Sequence, residues 1–200
     1  MFDETLVTES RLTSAKKKEL TPLRLYPEDQ NAFFGGSSGE MYFTTLDECQ
    51  CVDFALNGRV QPCKHMIRLA MELGLMDCSG MQSDPEGAKA RYCINHAKDY
   101  IRETPVAQMV LFLRPICELL AGGSYFGGPH RLDEAFDING IENCPFFVVR
   151  KNGDVDIQKK YRKDLESLLV IVRNRLGELA LERIFEDDLV EMLGRKVDND

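Results

Sequence analysis

The sequence predicts an α+β fold, in which a small β-hairpin-plus-helix module precedes a mainly α-helical C-terminal region carrying one β-hairpin. Three observations predict it. Met41-Tyr42-Phe43-Thr44-Thr45-Leu46 is rich in β-forming residues and leads into a cluster of potential metal ligands. The cluster is Cys49, Cys51, Cys63 and His65, spaced C-x-C-x11-C-x-H. Beyond residue 76, apolar residues recur at helical intervals, with one strand–turn–strand pattern near residues 146–157. The implied organisation is an N-terminal extension over 1–40, the ligand-bearing module over 41–76 and the helical region over 77–200.

Each element has a local cause. The first stretch holds Lys16-Lys17-Lys18 and then Pro22 and Pro27, which favour extended or turn structure. Phe33 to Gly39 reads as glycine- and serine-rich punctuation ahead of the strand at 41–46. Asn57-Gly58, between the two ligand pairs, is a tight-turn signal because both residues accept positive φ, so a hairpin is expected there. Pro62 suits a helix entry. Ile67, Leu69, Ala70 and Leu73 repeat helically, and Gly74 suits the C-terminal cap.

Further along, Asp84-Pro85 opens a helix to about Arg102. Thr104-Pro105 opens another, with Val106, Met109, Val110, Leu113, Ile116, Cys117 and Leu120 as its apolar face. Gly122 to Pro129 reads as a loop. Residues 146–149 and 155–157, joined through Asn152-Gly153, read as a second hairpin. The tail from Gln158 to Leu193 is helical in pattern and reads as two helices parted near Gly177.

Composition bounds the function. Hydrophobic content of 44% and charged content of 29% suit a folded soluble chain rather than a disordered one. The apolar run from Val106 to Leu120 is broken by Arg114 and Pro115, so no membrane span is expected. The acidic start, Met1-Phe2-Asp3-Glu4, lacks a signal-peptide layout, and a cytoplasmic location is the expectation. Seven cysteines cannot all pair within one chain, and clustered thiols in a reducing compartment favour metal. A net charge of −8 counts against a strong non-specific grip on nucleic acid.

The ligand spacing points to zinc. Three soft thiolates and one imidazole form a closed tetrahedral set that leaves no position for water or substrate, so the metal is structural. The competing readings are buried cysteines beside an unrelated histidine, and an iron–sulfur cluster, which the compact spacing disfavours. A zinc deaminase requires H-x-E and P-C-x-x-C. Pro62-Cys63-Lys64-His65 replaces the second, and no H-x-E occurs. Cys93 and His96, three apart on a helix with Cys78 upstream, form a weaker second candidate whose ordinary reading is core packing.

The run from Tyr42 to Phe54, followed by Pro62-Cys63-Lys64-His65, resembles a SWIM-type zinc finger, with a C-x-C pair, a variable spacer and a C-x-H pair. Phe54, three residues past Cys51, and the Pro-Cys-Lys-His context match the accessory features. The segment is also similar to small bacterial proteins of this type whose activity is undefined. The resemblance implies that Cys49, Cys51, Cys63 and His65 hold Zn2+. It further implies a nucleic-acid-binding or nucleic-acid-assembly component, or alternatively a protein–protein interaction adaptor with no direct nucleic-acid contact.

On the first reading Arg59, Lys64 and Arg68 are the candidate phosphate contacts, extended by Lys16 to Lys18. Their plain alternative is ordinary solvated basic side chains. No nucleophile–base pair, phosphate-binding loop or kinase signature is recognisable, so neither an enzyme nor a small-molecule substrate is expected.

Overall fold

In the computed structural model, which describes residues 2–58, 60–120, 122 and 130–184, the chain is α+β, with helices and two small antiparallel sheets. It divides into two compact units, Met1–Tyr92 and Cys93–Asp200.

The first unit begins with α1 (Glu9–Ala15), then β1 (Arg24–Tyr26), β2 (Asn31–Gly35) and β3 (Met41–Thr45), then α2 (Val52–Asn57) and α3 (Lys64–Glu72). The three strands form one antiparallel sheet in the order β1-β2-β3. Alternation decides its faces. Ala32, Phe34 and Thr44 are buried, while Phe33 and Phe43 point to the other side. Ala15, Leu20, Ala32, Phe34, Ile67, Leu69 and Met71 form one buried cluster that joins α1, the sheet and α3. Residues 1–40 thus supply two of the three strands and part of this core.

Two local expectations are corrected here. The strand at 41–45 pairs with β2, which lies upstream, in the register Phe33↔Phe43 and Gly35↔Met41. Phe33 and Phe34 are therefore strand residues rather than punctuation. The ligand pairs are separated by a helix, not by a hairpin turn. Gly58 closes α2 with φ −62° and donates its N–H to Phe54 O at 2.7 Å. Glycine is required there for space: a Cβ would lie 2.3 Å from Phe54 Cδ2.

Helix α3 ends as its sequence predicts. Gly74 takes φ +71°, Leu75 N–H donates to Ala70 O at 2.8 Å, and Gly74 N–H donates to Met71 O at 3.0 Å.

Helix α4 (Pro85–Glu103) starts where Asp84-Pro85 places it and runs across the division between the units. Asp84 Oδ1 accepts from Gly87 N–H at 3.0 Å, a side-chain N-cap with Pro85 as the first helical residue. The second unit continues with α5 (Val106–Leu120), α6 (His130–Phe136), the hairpin β4 (Phe147–Val149) and β5 (Val155–Ile157), and α7 (Arg162–Ile184). Helix α5 packs against α6, β5 and α7.

The core of the second unit is aromatic. Phe112, Phe136 and Phe146 are fully buried, with centroid separations of 5.6 Å and 5.3 Å along the row. Cys117 and Cys144 are buried, in keeping with core filling. Helix α7 runs unbroken through Gly177, so the expected division there is corrected; residues 185–193 of the predicted tail lie outside the described residues. Most of the glycine-rich loop at 122–129 also lies outside them. No described helix is long and apolar enough to cross a membrane.

Candidate metal centre

Three elements of the first unit, the turn after β3 and the starts of α2 and α3, bring four side chains to one point. After β3, Thr45 N–H donates to Glu48 O at 2.8 Å, and this tight turn folds Cys49 back beside Thr44. Cys51 is the N-cap of α2, its Sγ accepting from Phe54 N–H at 3.4 Å. Cys63 is the N-cap of α3, and His65 lies in that helix's first turn. Both helices thus turn their N-terminal ends, where the backbone N–H groups favour negative charge, toward thiol sulfurs.

The potential ligand atoms of Cys49, Cys51, Cys63 and His65 all lie within 4.8 Å of one another, and all four residues are buried. His65 Nδ1 is 3.7 Å from Cys49 Sγ and 3.9 Å from Cys63 Sγ. A tetrahedral ion with bonds of about 2.3 Å to sulfur and about 2.0 Å to nitrogen requires sulfur–nitrogen edges of roughly 3.6 Å. These two sulfur–nitrogen edges fit a single ion within a few tenths of an ångström. Among the described residues this is the one group of three or more histidine, cysteine or acidic side chains so gathered. Cys93 and His96 do not form a second such group; Cys93 is buried and Cys78 is exposed.

The electrostatics favour a cation. Hydrogen bonding from Cys49, then from Cys63, holds the Cys51 thiol far below the usual thiol range. Cys63 is pushed far above that range by its hydrogen bonds to Cys49 and Cys51 and by burial. Cys49 is raised, chiefly by its hydrogen bond with Cys51. Three adjacent buried sulfurs cannot ionise together unaided, and a divalent cation is the charge that lets them.

Apolar and aromatic side chains pack around the site. Met66, Phe54 and Tyr42 pack on the cysteine cluster. The His65 ring lies 5.2 Å from Phe34 and 5.5 Å from Tyr42, centroid to centroid. The Thr44 hydroxyl is 3.2 Å from Cys49 Sγ and fully buried. Arg11, from α1, donates to Pro62 O and to Asp53 Oδ1, each at 2.6 Å, and so clamps the segment between the ligand pairs. Thr44 could be anticipated from strand alternation. Arg11 carries no local signal, because its partners lie 42 and 51 residues away.

The three candidate phosphate contacts separate. Lys64 is exposed in the first turn of α3. Arg59 lies outside the described residues. Arg68 is corrected: it is fully buried and makes no outer surface. All five of its N–H groups are engaged. Nε donates to Glu72 Oε1 at 2.8 Å, one terminal nitrogen to Ala15 O and Lys17 O, and the other to Thr21 Oγ1 and Gln82 O. Its position on α3 faces the core, so the charge is used to join α3 to residues 15–21 and 82. Lys17 and Lys18 are exposed.

What the arrangement can do chemically is hold one metal ion with four protein ligands. Compared with known proteins, the chain matches no family model, no curated protein and no solved structure.

Proposed function

We propose that the chain is a zinc-binding module of SWIM type, with a structural metal, that acts by docking a protein partner within a nucleic-acid-handling assembly. The observation that carries the metal assignment is the buried set of three sulfurs and one ring nitrogen gathered within 4.8 Å of one another. Soft thiolates with an imidazole favour zinc over hard-ligand cations. Full protein ligation leaves no open position, which supports a binding role over catalysis.

Protein docking is favoured over direct phosphate binding by two facts. The net charge is −8, and Arg68 is consumed inside the fold. The second reading, direct nucleic-acid contact, is favoured by exposed Lys64, Lys17 and Lys18. Elemental analysis of purified protein tests the metal: about one zinc per chain is expected, and iron with visible absorbance would overturn the choice. A duplex-DNA titration at low salt, run beside a pull-down with and without nuclease, separates the partner readings. Salt-sensitive DNA binding abolished by Lys64→Glu would favour the second. Nuclease-resistant capture of a defined protein, without DNA binding, supports the first.

A further inference from the structure

The outward face of the β1-β2-β3 sheet carries a row of three aromatic rings, one from each strand. The registers Arg24↔Phe33 and Phe33↔Phe43 set Phe33 and Phe43 side by side, and Tyr26 lies two pairs along on β1, on the same face. Ring centroids are 6.2 Å apart for Tyr26–Phe33 and 5.2 Å for Phe33–Phe43. Tyr26 is 41% exposed, and neither phenylalanine is fully buried. None of the three packs on the two buried clusters beneath the sheet. At the other end Gly35 admits Tyr92, because a Cβ on Gly35 would lie 3.2 Å from that residue's Cβ.

Cross-strand aromatic pairs stabilise sheets by themselves, so rings alone do not define a site. Charge adds the second observation. Tyr26 pairs with Asn31 and Asn31 with Thr45, so the β1–β2 turn and the chain leaving β3 emerge at one end of the sheet. That end bears exposed Glu28, Asp29 and Glu48. Among the strand residues of this face the sole cation is Arg24. An aromatic face beside carboxylates, on a chain of net charge −8, complements a cation that is planar and weakly hydrated. It repels a phosphate backbone.

We propose that this face docks an arginine-bearing, cationic segment of a protein partner, with guanidinium groups lying on the Tyr26 and Phe43 rings and pairing with Glu28, Asp29 and Glu48. Arg24, directly opposite Phe33 in the β1–β2 register, keeps incoming charge off that ring. The inference rests on the protein-docking reading and gives the partner its chemistry.

The test is fluorescence anisotropy on the full chain, its metal content measured, with a labelled peptide of arginine–glycine repeats. A glutamate–glycine peptide and oligothymidylate are the comparators. The arginine peptide is expected to bind in a salt-sensitive manner and the comparators not to bind. Tyr26→Leu and Phe43→Leu keep apolar bulk and net charge while removing the π face. Each is expected to weaken the arginine peptide about threefold, and the pair about tenfold, with metal content and far-UV circular dichroism unchanged.

Equal binding by the paired leucine variant would mean attraction by net charge alone and overturns the proposal. So would no binding of the arginine peptide, or binding of oligothymidylate in its place. Nuclease-resistant capture of a partner that survives both leucine substitutions would sink this face while leaving the docking reading intact.

Discussion

Replacing Arg68 with methionine removes five N–H donors from a fully buried side chain and keeps its apolar bulk. The acceptors stay behind. Ala15 O, Lys17 O and Gln82 O are backbone carbonyls and cannot be removed with the charge, and of these Lys17 O keeps the Leu20 N–H at 3.1 Å. A buried acceptor left without a partner costs about 1–3 kcal/mol. Glu72, 17% exposed, can turn to water and contributes at the low end. Relief from burying a guanidinium offsets part of this, since apolar replacements of whole ion pairs are often near neutral. Only one partner is replaced here, so the expected net loss is about 3–5 kcal/mol. That is a large share of the roughly 5–15 kcal/mol that stabilises a domain.

Urea unfolding followed by far-UV circular dichroism, at matched metal content, measures the loss; the chain has no tryptophan to report it by fluorescence. With two compact units a single transition is not assured, so amide exchange in α3 provides a local reading. Arg68→Lys, with three donors for the same acceptors, should fall between the parent and methionine. A methionine variant within about 0.5 kcal/mol of the parent, the range of ordinary surface changes, would refute the reasoning.

Two further predictions follow from the same geometry. Cys63→Ser and His65→Ala should each lose the metal, whose binding contributes about 10 kcal/mol or more to folding in such sites. Amide protection should then fall over residues 49–66 more than in β2, where Ala32 and Phe34 keep an apolar core. Unchanged metal content in both variants would overturn the ligand assignment. Asp84 is held below its ordinary value of 3.8, chiefly by the hydrogen bond from Gly87 N–H. Its ionised form therefore stabilises the fold fully above that value, and the contribution is lost as pH falls through the lowered folded pKa. Asp84→Asn should lower the melting temperature at pH 7 and lower it less as pH falls below 3.8; a difference unchanged by pH would refute the role.

Much of the candidate metal centre was legible because its residues lie in two local pairs. Cys49 and Cys51 lie two residues apart, as do Cys63 and His65, so spacing alone nearly fixes their geometry. The caps were legible for a related reason: Asp84-Pro85 and Gly74 act on backbone within a few residues. Misreading entered where a residue had two compatible roles. Asn57-Gly58 suits a turn by its tolerance of positive φ, yet Gly58 serves a helix end by lacking a Cβ. Phe33-Phe34-Gly35 looked like loop because glycines follow, yet pairing with β3 makes it strand.

By itself the sequence determined the α+β class, the four residues that gather as a candidate metal site, the start of α4 and the hairpin at 147–157, each through contacts between near neighbours or through periodicity. Only the tertiary structure decided that β2 is the partner of β3, that Arg68 is buried and Arg11 is a clamp, and that Tyr26, Phe33 and Phe43 share an open face. The physical reason is that these depend on which distant segment supplies the partner. Arg68 meets Ala15 O across 53 residues, and nothing in its own neighbourhood distinguishes a buried guanidinium from a solvated one.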